Sequence, residues 1–168
     1  MMALFAGVEQ NAFSVWVRES PSLLAFPFIL FLHTLGLAML AGLNVGLDAW
    51  LLARRKLPPF ELANLYRVMW LGFGINALSG LALLAAYPAK ALTNWVFFVK
   101  LLCIAIALWV LQRLKGELAV AGGTAERDVS GLARRLALAS LLLWTATIFA
   151  GRLLAYTYHI LLASEGLF

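Results

Sequence analysis

A chain of 168 residues has room for one domain, and its 64% hydrophobic and 12% charged content leaves more apolar surface than one water-soluble core can hide. Thirteen Lys and Arg against eight Asp and Glu give a net charge of +5, but most basic residues stand between apolar runs and form no stripe, which excludes a nucleic-acid surface. The single cysteine, Cys103, excludes a disulfide framework, a CxxC pair or a zinc spacing within one chain.

Residues 1–20 mix Leu4, Val8, Phe13, Val15 and Trp16 with Glu9, Gln10, Asn11, Arg18 and Glu19. That pattern predicts an amphipathic helix lying along a membrane interface. The acidic residues and the lack of a basic start do not fit a cleaved signal. The first span is expected over 23–53, enough to cross about 30 Å of hydrocarbon with tilt. Pro21 and Pro27 stand at its start, where proline does least harm. Arg54, Arg55 and Lys56 stop it, and Pro58-Pro59 turns the chain. A second span over 68–87 ends at Pro88. A third covers 95–114 and is followed by a polar loop with Gly122-Gly123. The fourth covers 136–162, after Arg134 and Arg135. The expected fold is therefore all-α: an integral membrane four-helix bundle over 21–168, with the interfacial helix before it.

Lys and Arg set the expected orientation. The first loop holds Arg54, Arg55, Lys56 and Arg67, and the third holds Arg113, Lys115, Arg127, Arg134 and Arg135. The middle loop holds only Lys90. The first and third loops are expected in the cytoplasm, with both termini on the periplasmic side of a bacterial inner (plasma) membrane. Trp95, Tyr87, Tyr156 and Tyr158 would form an aromatic belt there. Ala38, Gly42 and Gly46, spaced by four, predict a face on which a neighbouring helix packs closely.

Polar groups inside a bilayer are costly and tend to be functional, at about 2.5–3.5 kcal/mol for a charged residue on insertion scales. At about 100° per residue, His33, Asn44 and Asp48 fall within roughly 60° of one another, as one stripe on the first span. Arg152, Tyr156 and His159 share a face of the fourth. Asn76, Ser79 and Gly80 mark one face of the second, and Lys100 and Cys103 share a face of the third. Asp48, near the inner end and separate from the outer-half groups, is expected to pair with Arg54 or Arg55, with proton transfer as the alternative. His33, Lys100, Arg152 and His159 all fall in the outer half of the membrane. Two imidazoles and two cations suit a b-type haem, with His33 and His159 as axial ligands and Lys100 and Arg152 at the propionates. Tyr156 lies on the same face. Other readings stay open: helix-to-helix hydrogen bonds, snorkelling to the interface, lipid phosphate binding, or a copper site.

Two segments carry a resemblance. They are Phe31-Leu-His-Thr-Leu-Gly-Leu-Ala-Met-Leu-Ala-Gly-Leu-Asn-Val-Gly-Leu-Asp48 and Trp95-Val-Phe-Phe-Val-Lys-Leu-Leu102. Together they resemble a group of small bacterial membrane proteins with an early His-x-Leu-Gly, an Asp near the end of the first span and a later Phe-x-x-Lys. More distantly they resemble the copper-resistance protein D superfamily and the HemJ-type protoporphyrinogen oxidases. The resemblance covers roughly residues 20 to 115. It implies a four- or five-helix bundle with His33 and Lys100 as the matching positions, and, from the HemJ-like group, haem b as cofactor.

The expected function is a haem-b-binding electron-transfer protein or redox-complex subunit near the periplasmic side. Its partners would be the lipid bilayer and a quinone, a periplasmic cytochrome or other membrane subunits, and no nucleic acid. The alternatives are a cofactor-free accessory subunit and a small transporter or copper-handling protein. No GxSxG, P-loop or HExxH motif occurs, so an electron-transfer or accessory role is expected over that of a stand-alone enzyme.

Overall fold

The computed structural model describes residues 7, 10–58, 61–121 and 129–165, with the side chains of 90, 121 and 155–165 outside the description. In chain order the helices are α1 (Ala12–Glu19), α2 (Phe26–Arg54), α3 (Leu62–Ala86), α4 (Pro88–Leu92), α5 (Trp95–Ala121) and α6 (Gly131–Glu165). The described residues contain no strand. Four of these helices, α2, α3, α5 and α6, are long and apolar enough to cross a membrane. The chain is a multi-pass membrane bundle of four helices.

Apolar runs fixed the expected spans, but hydrogen bonding fixes the helices. Thus α3 begins at Leu62, α5 runs on to Ala121 and α6 begins at Gly131. The added turns carry Arg67, Lys115, Glu117, Arg134 and Arg135, residues with good helix propensity that need water.

Side chains set the helix starts. Asn11 Oδ1 accepts from Phe13 N at 3.1 Å, Asn94 Oδ1 from Val96 N at 3.0 Å, and Ser130 Oγ from Ala133 N at 3.0 Å. The end of α2 is Arg55 at φ 55°, a left-handed cap usually given to glycine. Its carbonyl accepts from Val129 N at 2.8 Å, tying the end of α2 to the approach to α6. At the end of α3, Ser14 Oγ donates to Ala85 O and the Arg18 guanidinium to Ala86 O, each at 2.9 Å. A cation and a hydroxyl from α1 thus satisfy carbonyls that the helix leaves open, with the charge sign the helix dipole favours. Val17 is fully buried in the same docking.

One turn of π-helix, Ala38–Gly42, divides α2. The first half, Phe26–Leu37, packs on α3; the second half, Leu43–Arg54, packs mainly on α6, and α6 pairs along its length with α5. The core lies around the second half and includes Leu47, Leu51, Tyr66, Met69, Leu111, Leu114 and Trp144. Outside it, Leu78, Leu102, Leu142 and Phe149 are 72%, 61%, 62% and 65% exposed, an apolar surface that lipid must cover.

The close crossing is not where the Ala38-Gly42-Gly46 row placed it. All three residues are exposed, and nothing stands within 4 Å of an added Cβ at Gly42 or Gly46. The backbones of α2 and α3 meet instead at Gly36 and Gly72. A Cβ on Gly36 would lie 2.5 Å from Asn76 N and 2.7 Å from Gly72 O. A Cβ on Gly72 would lie 2.6 Å from Met39 Cβ and 3.0 Å from Gly36 O. The π-turn accounts for the difference: it rotates the later part of α2 away from the face that residues 26–37 present to α3. Gly36→Ala should destabilise the bundle by about 1–3 kcal/mol through overpacking, and Gly42→Ala should change stability by less than about 0.5 kcal/mol or raise it. Reversible denaturation in detergent micelles reads both.

Candidate functional site: two polar clusters on one helix

The first cluster surrounds His33. Its Nδ1 lies 3.0 Å from the carbonyl oxygen of Asn76 and 3.2 Å from Ser79 Oγ. A carbonyl only accepts, so Nδ1 carries the proton and, in the neutral ring, Nε2 carries the lone pair. Asn76 Nδ2 returns a hydrogen bond to the His33 carbonyl at 2.7 Å. Ser79 Oγ also donates to Ile75 O at 2.6 Å. Gly80 makes room for the ring: a Cβ there would stand 3.1 Å from Cε1 and 3.4 Å from Nδ1. The Nδ1–Cε1 edge is therefore clamped against α3. This contact depends on the Gly36–Gly72 crossing one turn deeper.

Lys100, on α5, lies against α6. Its Cε and Nζ would each lie 3.9 Å from a Cβ on Gly151, so its head crosses the surface of α6 at that glycine. The ammonium is also within electrostatic reach of His33. Cys103 is half-buried on α5 with a free thiol. Arg152 follows Gly151 but is exposed, about 100° round the helix from the Lys100 contact. Tyr156 and His159 belong to the last turns of α6, and their side chains lie outside the described residues. On the helical backbone, His159 stands roughly 12 Å beyond Gly151. Among the described residues, no group of three or more His, Cys, Asp or Glu could hold a metal ion.

The second cluster lies deeper on the same helix, on which His33, Asn44 and Asp48 were expected to form one stripe with Asp48 apart near the inner end. The π-turn separates them: His33 faces α3, whereas Asn44 faces α6 and donates to Ser140 Oγ at 2.7 Å. Asn44, Asp48 and Ser140 are all fully buried. Asp48 makes no ion pair with Arg54 or Arg55. Both of its oxygens are buried without a partner, and Arg54 lies instead over the Trp50 ring, 5.6 Å from its centroid. Six residues past Asp48, Arg54 falls on a different face of the helix, and Arg55 is already in the left-handed cap. Asn44 Oδ1, Tyr66 Oη, Trp144 Nε1 and Thr147 Oγ1 are likewise buried without partners. Ser140, Trp144 and Thr147 follow i, i+4, i+7 spacing and share one face of α6.

Sequence reasoning singled out His33, Asn76, Ser79, Gly80 and Lys100; the structure brings the first four into contact and sets Lys100 against Gly151 on α6, within electrostatic reach of His33. It missed Ser140 and Tyr66 as neighbours of the Asn44–Asp48 pair. The available signal was the i, i+4 spacing of Asn44 and Asp48, which demands polar company on some other helix. No family model, curated protein or solved structure matches this chain.

The Asn44–Ser140 bond joins two spans in an apolar setting. A double-mutant cycle over Asn44→Ala and Ser140→Ala should give a coupling of about 0.6–1.7 kcal/mol, the range for hydrogen bonds between membrane helices. Unfolding in detergent measures it.

Proposed function

We propose that the protein binds haem b through His33 and serves electron transfer as a membrane redox protein or as a subunit of a redox complex. One observation carries the reading: the His33 ring is held by its Nδ1–H on the Asn76 carbonyl, which leaves Nε2 as the ligating nitrogen. Protein groups orient metal-bound histidines in this way, fixing tautomer and ring plane through the nitrogen that does not ligate. Asn76 and Ser79 are the orienting groups, and Gly80 lets the ring lie close to α3.

The residues present fit a haem in part. His33 is a sound axial ligand. Lys100, held across Gly151, supplies the positive charge a propionate needs, and the exposed Arg152 supplies a second at the rim. His159 is proposed as the second axial ligand, with Tyr156 between it and Arg152 on the same helix face. A bound haem would supply a one-electron couple, whose potential depends on axial ligation and burial. The chain's part is to bind, orient and exclude water, while nearby Lys100 stabilises negative charge. A quinone or a periplasmic cytochrome is the proposed redox partner.

The basic ends support a bacterial inner-membrane location with periplasmic termini. Arg54 lies over Trp50, Arg113 over Trp109 at 5.2 Å and Lys115 over Tyr66 at 5.3 Å. All three cations belong to the end that holds the first and third loops. Basic residues gathered at one rim are the pattern of a cytoplasmic membrane face, while aromatic rings line both faces.

Two experiments test these statements. The purified protein should show a Soret band and resolved α/β bands on reduction. His33→Ala should abolish them, Lys100→Met should weaken haem retention, and His159→Ala should convert a low-spin spectrum to high spin. A colourless protein that copurifies with other chains moves the reading to an accessory subunit. For topology, cysteines placed at Lys56 or at Lys90 in a Cys103→Ser background should report opposite sides. An impermeant maleimide added to intact spheroplasts should label position 90 and spare position 56.

A further inference from the structure

The second cluster holds a carboxyl group that haem binding does not use. Asp48 is fully buried between α2 and α6, and neither of its oxygens has a hydrogen-bond partner. An ionised carboxylate there would be a buried charge with no ion pair, faced only by neutral hydroxyls, which do not offset the cost of burying it. The groups facing it are few. From α6 comes Ser140, neutral; its Oγ accepts from Asn44, which leaves one hydroxyl proton to turn toward Asp48. From α3 comes Tyr66, whose buried hydroxyl is also unpartnered and within electrostatic reach of Asp48. From α5, Lys115 is spent over the Tyr66 ring. On α2 itself, Arg54 turns to Trp50. Arg134, near the start of α6, has a buried Nε without a partner and makes no ion pair with Asp48.

We infer that Asp48 is a proton-binding site, its carboxyl group carrying a bound proton in the resting bundle. Binding forms one O–H bond on an Asp48 oxygen and removes its charge; release returns the proton to water, and no electron moves. Protonation also makes Asp48 a donor one helical turn from Asn44 Oδ1, a buried acceptor that lacks one. Two unmet groups are thereby matched by one proton. A dehydrated metal cation would need a shell of oxygens, which membrane proteins commonly assemble from carbonyls of unwound helix. Here Leu43–Arg54 is regular α-helix, and its carbonyls are engaged within it. A proton needs one oxygen.

Infrared spectroscopy of the whole chain in lipid nanodiscs at neutral pH tests this without reference to haem. The wild-type protein should show a protonated-carboxyl stretching band that moves on transfer to D2O. The band should vanish in Asp48→Asn, a neutral variant of similar shape. It should be the same in sodium chloride and in choline chloride. Absence of the band from the wild type, its persistence in Asp48→Asn, or its loss on adding sodium overturns the inference. If Asp48→Asn does not fold, Asp48→Glu should displace the band, and an unmoved band overturns the inference equally.

Discussion

Backbone contact between α2 and α3 at Gly36 and Gly72 positions the polar groups of the first half of the bundle. Lipid tails solvate apolar side chains as well as a neighbouring helix does, so membrane helices associate through close packing and internal hydrogen bonds. With no side chain at either glycine, the backbones come near enough for Asn76 to bond the His33 carbonyl and for His33 to bond the Asn76 carbonyl. Those reciprocal bonds join the two helices and fix the imidazole. A methyl group at the crossing would push α3 away from both.

The π-turn at Ala38–Gly42 is the second constraint. It lets one continuous helix serve two neighbours, α3 with its first half and α6 with its second. Each half brings a polar side chain to its own partner: His33 to Asn76 and Ser79, Asn44 to Ser140. Along α2, Asn44 lies about 16 Å and Asp48 about 22 Å from His33. The two clusters are different in character. The first has its hydrogen bonds made and a ring nitrogen to spare. The second holds buried acceptors without partners on Asn44 and Asp48.

The helix ends show how the chain settles its remaining backbone groups. α1 is short, yet Ser14 and Arg18 take carbonyls at the end of α3, and Val129 takes the Arg55 carbonyl at the end of α2. Such hydrogen bonds anchor the loops. Charges at the Arg-rich rim lean on aromatic rings instead, at Trp50, Trp109 and Tyr66.

The sequence by itself determined the class of fold, the number of spans and the candidate polar residues. Hydrophobic runs of membrane length leave one solution, because backbone groups in lipid must be bonded within helices. His33, Lys100, Asn76 and Ser79 were legible for the same reason: a polar residue in an apolar run stands out. Only the tertiary structure decided which of them meet. An ideal 100° per residue put His33 and Asp48 on one stripe, and a single wide turn broke that register. The small-residue row at Ala38, Gly42 and Gly46 had the right spacing but faces outward, while Gly36 and Gly72, on different helices, make the contact. The missing ion pair of Asp48 has the same origin. Sequence proximity to Arg54 and Arg55 gives no shared face, and the rotation of α2 leaves the carboxyl group among neutral neighbours from α3 and α6.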